Sequence, residues 1–228
     1  MKNIILFIYT MLLRLRYCFR GSLNIKQSRL WCVRVSGSRD ALLCLSGSQI
    51  RRTMFNMNGS DNQLTARDVV MDKCEIRVNG MGNTIEIEPQ CNLHNTVIVI
   101  NGNNCRVAIG RSTAVGSMYI VCMGQANFIK IGEDCMIADY VDIWNTDAHP
   151  IYSEKGEVTN LSKPIKIGNH VWIGKRAKVL KGITIHDNAV VGMSTIVTKD
   201  VPANTLVAGS DCRIIRSDIN WDRKFITV

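Results

Sequence analysis

The sequence predicts an all-β solenoid, a parallel β-helix of short strands, and two periodicities carry that expectation. Counting from Ile167, an aliphatic residue returns at every sixth position through Ile173, Val179, Ile185, Val191 and Val197, with Ala203 closing the run. The same frame reaches back through Ile131, Ile137 and Ile143. A period of six fits neither a helix at roughly 3.6 nor a strand at about 2. A fixed repeat of another length marks a solenoid, whose units are each too small to bury an apolar face alone. Three hexads make one triangular coil with the aliphatic residues inward. Gly168, Gly174 and Gly192 each follow such a residue by one place and are expected to turn corners at positive φ. The second periodicity is longer. Ile87, Ile109 and Ile131 stand 22 residues apart and end the phrases GMGNTIEI, GNNCRVAI and GQANFIKI. Twenty-two is three hexads plus four, so these coils should carry a small extra loop at one corner, near Gly80, Gly102 and Gly124.

Taken in order, residues 1–22 begin MKNIILFIYTMLLRLRYCFR, with an apolar run from Ile4 to Leu13. That run is shorter than the roughly 20 residues a bilayer span needs. Arg14, Arg16 and Arg20 stand where a signal peptide would have small residues. A helix is expected here, packed on the end of the solenoid or lying on a membrane surface. Residues 23–216 form the solenoid, with coils expected from about residue 30 and GSDNQLT (59–65) as a weak copy of the longer phrase. Residues 145–166 interrupt it as a long loop, and 217–228, SDINWDRKFITV, leave the frame as a short tail or cap.

At 228 residues, one solenoid domain with short ends is the natural count, and 46% apolar residues suffice for a continuous core. Nine cysteines without a CxxC pair favour a reducing cytoplasm. Cys105 and Cys135 sit where a coil needs a small buried residue. The net charge of +9 is uneven: +9 over residues 1–60, −6 over 61–160 and +6 over 161–228. A basic C-terminal third suits a phosphate-rich ligand, and a basic N-terminus suits an acidic glycan or peripheral contact with an anionic membrane. Little aromatic interleaving and the lack of a recognition motif argue against nucleic acid.

The loop WNTDAHPIYSEKGEVTNLSKP holds two prolines and a histidine, His149. Loops this long inside a compact domain are functional or disordered. An imidazole is neutral near pH 7 yet basic enough to take a proton in a transition state. Asp142 or Asp147 would orient it; spacing does not choose between them.

PIKIGNHVWIG (164–174), GITIHDNAVVG (182–192), TKDVP (198–202) and CRIIR (212–216) together resemble the hexapeptide-repeat acyltransferases. The likeness is strongest to galactoside and maltose acetyltransferases and to bacterial surface-polysaccharide O-acetyltransferases. It implies a left-handed β-helix, homotrimers, and acetyl-CoA held between neighbouring copies. It places His149 as general base toward a sugar hydroxyl. Trp172, Lys175 and Met193 fall along the pantetheine channel, Thr198 and Lys199 at the TKD step, and Arg213 and Arg216 at the CoA phosphates. Two departures stand beside the phosphate pair and the channel: Asp211 replaces a usual proline, and Met193 a usual small residue. His94, His170 and His186 read as solvent-facing, and the four histidines do not space like a zinc-lyase site, so no metal is expected. The leading expectation is sugar O-acetylation. N-acetylation of an amino-sugar nucleotide and a non-catalytic structural solenoid are the alternatives.

Overall fold

The computed structural model describes residues 17–19 and 21–226. The helix expected over 1–22 falls largely outside them. Within that interval Tyr17–Phe19 is a strand, and Ser22–Lys26 begins the next. Coils therefore start before residue 30.

Among the described residues the strands form three sheets of nine, eight and ten, and each chain turn visits all three in rotation. Call them faces A, B and C. Face A runs from Tyr17–Phe19 to Ile196–Val197, face B from Ser22–Lys26 to Thr184–Ile185, and face C from Arg29–Trp31 to Arg213–Arg216. Pairing is parallel, coil on coil, as for Ile131 on Ile167 and Ile167 on Ile185. The exception is Arg213–Arg216, which turns back antiparallel on Leu206–Ala208 instead of continuing the frame.

The inward residues explain why this pattern closes. Val35, Phe55, Ile76, Ile98, Ile120, Ile143, Val179 and Val197 stack inside face A, all 3% exposed or less. Burying each such side chain is worth about 1.5–3 kcal/mol, and none has that burial without the coils above and below. Ala203 does not extend the series. It is exposed, and Val201 takes its place beneath Ile185 because the last turn is shorter.

The coils differ in length at one corner. Five or six residues separate stacked positions from B to C and from C to A throughout. From A to B the separation is eleven at Phe55–Ala66 and Ile98–Ile109, 24 at Ile143–Ile167, and six at Val179–Ile185. The extra residues expected near Gly80, Gly102 and Gly124 lie there, partly as longer strands such as Thr96–Asn103 and Met118–Gln125. Asparagines tie one coil to the next: Asn79 Nδ2 donates to Asn101 Oδ1 at 2.8 Å, and buried Asn83 donates to Gly102 O at 2.8 Å. Gly80 has φ 121°, and a Cβ there would meet Gly102 O at 1.9 Å, so no other residue stacks at that point.

The hexad glycines act differently from expectation. Gly168, Gly174 and Gly192 do not take positive φ. The left-handed positions are His170 (51°), Arg176 (60°) and Ser194 (59°), two residues later. What excludes a side chain at Gly174 is closeness: its Cβ would lie 2.7 Å from Met193 N of the next coil. The cysteines behave as read. Cys105 and Cys135 are fully buried, and burial pushes the Cys135 thiol up to about 11.

Candidate active site

The loop leaves face A after Val141–Trp144 and rejoins face B at Ile165–Ile167, so it projects from the A–B corner. Its base closes where Lys163 N donates to Asn145 O at 3.0 Å, and its tip is a small hairpin with Tyr152 bridged to Val158. Ala148 at φ 64° turns the chain so that His149 N donates to Asp147 O at 2.7 Å. A non-glycine residue held in this region stores strain, which concentrates at functional sites. Asn160 fixes the turn by donating to both His149 O and Asp147 Oδ2, each at 2.9 Å, and by accepting from Ile151 N at 2.7 Å. Lys181 Nζ, from the next coil, donates to Asp147 and to Asn160 O. The Lys181 hydrogen bond, then that of Asn160, holds the Asp147 carboxyl below its usual range.

The His149 side chain is exposed, and neither candidate carboxylate orients it. Asp147 is taken by Lys181 and Asn160, and Asp142 by Lys178 Nζ at 2.7 Å. The loop positions His149 through its backbone and leaves the imidazole facing out.

A second set gathers on face C. Trp172, Val190 and Leu206 stand in register, one per coil, on the outer surface. They floor a groove of about 620 Å³ whose sides are Lys175 and Met193 at the C–A corner and Arg216, Ile219, Asn220 and Trp221 from the C-terminal segment. That volume lies within the range of small-molecule sites, roughly 300–1,000 Å³. Trp172 is 38% exposed, and Lys175 Nζ lies 5.7 Å above the Tyr140 ring.

The tail is neither loose nor an end cap. Ile219 N donates to Asn204 O at 3.0 Å, and the chain then runs back past His170 and Asp134 toward Ser112. Trp221 is 8% exposed; its ring lies 4.2 Å from that of His170 and 6.0 Å from that of Trp172. His170, expected to face solvent, is thus half-buried, with Nδ1 at 2.6 Å from Asp134 Oδ2 and Nε2 at 3.1 Å from Trp221 O. Arg223 closes the run on Asp134 Oδ1 at 2.9 Å and Cys135 O at 3.0 Å. Burial raises the Asp134 carboxyl, but the hydrogen bonds from His170 and Arg223 outweigh it and hold the carboxyl low.

The structure therefore brings Trp172, Lys175, Met193 and Arg216 to one groove. Thr198 and Lys199 lie elsewhere, exposed between Ile196–Val197 on face A and Val201 beside face B. Arg213 is also apart and spends its guanidinium on Asp211 Oδ2, at 2.7 and 3.1 Å. In the triangular section the A–B corner is opposite face C, so within one chain His149 and the groove face away from each other. Sequence reasoning missed Trp221, Ile219, His170 and the Lys181–Asp147 anchor. The one available signal was a tryptophan in a polar tail.

A profile for the bacterial transferase hexapeptide (six repeats) matches residues 164–199. The polysialic acid O-acetyltransferase of Neisseria meningitidis is 33% identical over 152 residues, covering 57% of this chain and 70% of that protein. The chain belongs to the hexapeptide-repeat acyltransferases. Galactoside O-acetyltransferase of Escherichia coli (strain K12) is 41% identical over 100 residues, 42% of this chain, and the match spans about half (48%) of that relative's length. Among solved structures, the polySia-specific acetyltransferase NeuO superposes with a TM-score of 0.73 at 29% identity, covering 85% of this acyltransferase and 89% of NeuO.

Proposed function

We propose that this acyltransferase moves an acetyl group from acetyl-CoA to a hydroxyl of a bacterial surface polysaccharide, an acidic glycan in particular. The groove on face C carries the reading. Its apolar floor lies between two cations, Lys175 and Arg216, and suits a long, mostly uncharged arm ending in phosphates. The residues present thus fit a CoA thioester, with Trp172, Val190 and Met193 along the arm and Arg216 toward the charge. The acidic acceptor is supported by the meningococcal relative, whose name gives polysialic acid, and by the basic N-terminal coils.

The thioester supplies an activated acyl carbon. His149 takes the proton from the acceptor hydroxyl as that oxygen forms the ester bond, the C–S bond breaks, and the proton passes on to the leaving thiolate. Positioned base catalysis of this kind is worth about 10²–10⁴ in rate. Because His149 and the groove lie on opposite sides of one chain, the reaction takes place between copies: the loop of one meets face C of the next. Three copies close that arrangement without leaving a free loop or groove, which makes a homotrimer the expected assembly.

The test is thiol release from acetyl-CoA with a panel of glycans that includes polysialic acid and neutral galactosides. Release that depends on an acceptor, with a base-labile acetyl ester on the product, supports the reading. An alkali-stable amide product, or hydrolysis indifferent to acceptor, overturns it.

A further inference from the structure

We infer that Trp221 is a positioning residue of the donor groove: stacked on His170, it holds residues 219–221 as the wall that turns the outer surface of face C into a cleft for the uncharged arm of the thioester. This rests on the acyl-donor reading above.

Without that segment, Trp172, Val190 and Leu206 form a strip along the outside of a parallel sheet. A strip of this kind covers one side of a ligand, whereas binding sites bury most of a ligand's surface. With the segment in place, Val190 is only 7% exposed although its side chain is on the outer surface, since Val191 next to it is the inward residue. The residues that follow Trp221 do not hold the wall by burial. Phe225 and Ile226 are 94% and 95% exposed and contribute no burial. The segment instead depends on Trp221, which is buried, donates its indole N–H to His170 O at 2.7 Å and lies parallel to the His170 ring within 13°. Its polar atom being spent on His170 O, the indole adds only apolar surface to the groove lining. Arg223 ties the far end to Asp134, two coils away from the groove centre.

The role predicts a split between binding and turnover. The wall touches the arm of the donor and not the reacting carbonyl, so its loss removes binding shared by ground and transition states. CoA itself is the probe, titrated by calorimetry with no acceptor present, beside steady-state kinetics with acetyl-CoA. Trp221→Ala should weaken CoA binding and raise KM for acetyl-CoA by about fivefold or more, with kcat within about threefold. Trp221→Phe keeps a ring to stack on His170 and should recover binding to within about threefold of wild type. If Trp221→Ala does not fold, Arg223→Gln, at the exposed far anchor, carries the same test and should weaken CoA binding about twofold or more. Unchanged or tighter CoA binding in the folded variants overturns the inference, tighter binding meaning that the segment covers the site. A wild-type chain that does not bind CoA overturns the acyl-donor reading itself, and this inference with it.

Discussion

His170 and Trp221 hold each other twice over: their rings stack at 4.2 Å, and Trp221 Nε1 donates to His170 O at 2.7 Å while His170 Nε2 lies 3.1 Å from Trp221 O. The two residues are 51 positions apart, and the pair converts a polar C-terminal segment into a fixed part of face C. The same His170 sits at φ 51° on a corner, so the backbone turn that ends one hexad also aims the imidazole at the tail.

Replacing His149 tests the loop. His149→Ala should leave CoA binding intact and lower acetyl transfer by about 10²–10⁴, the range for a lost general base. The imidazole makes no hydrogen bond to any described residue, so folding should be unaffected. Transfer within about threefold of wild type would take the residue out of the mechanism.

Shared sites predict complementation. Trp172→Ala and His149→Ala, the first weakened in acetyl-CoA binding and the second in turnover, should regain activity when unfolded together and refolded as a mixture, because some interfaces then pair an intact loop with an intact groove. Light scattering of the wild type should give three copies. An active monomer at micromolar concentration, or no recovery in the mixture, would contradict a site built from two chains.

The two C-terminal arginines should behave differently. Arg216 lines the groove, while Arg213 is neutralised by Asp211. Arg216→Ala should raise KM for acetyl-CoA about tenfold with little change in kcat, as expected for a charge-assisted contact of about 1.5–3 kcal/mol. Arg213→Ala should change KM less than about twofold. A preference of the wild type for acetyl-CoA over its dephospho form that survives Arg216→Ala would place the phosphate contact elsewhere.

The Lys181–Asp147 anchor gives a pH dependence with a definite sign. The Asp147 carboxyl is held below its ordinary value, so what it contributes is present above the unfolded value near 3.9 and is lost as pH falls through the lower folded one. Hydrogen exchange of the loop amides, corrected for intrinsic rate, should show constant protection from pH 8 to about 5 and a loss only below about 4. Lys181→Met should free the loop at every pH. A transition near pH 6 would assign the anchor to a group other than this carboxylate.

The solenoid was legible because its signal is one-dimensional. Each inward aliphatic contacts its counterparts one coil away, so Ile167, Ile173 and Val179 announce three faces with no knowledge of distant contacts. The long loop was legible for the same reason, as a lapse in the rhythm. Glycine at the corners misled, because Gly174 is demanded by the closeness of the next coil's backbone, which a sequence does not display. Ala203 kept the count by coincidence after the chain had left the frame. The groove was half legible: Trp172, Lys175, Met193 and Arg216 came from the family motif, while its outer wall did not. Trp221 meets His170 through a reversal of chain direction between Leu206–Ala208 and Arg213–Arg216, and periodicity carries no record of such a return.

The variable stretch between faces A and B has a consequence for how such a chain diversifies. Spacings of eleven or of 24 at that corner have the same effect on the other two edges of the prism, which is none, since their stacked positions keep a spacing of five or six throughout. Insertion and deletion are tolerated along one edge and forbidden along two. Reach and selectivity at the projecting edge can thus be rewritten, in nature or at the bench, by splicing loops at 145–164 while the opposite surface stays untouched.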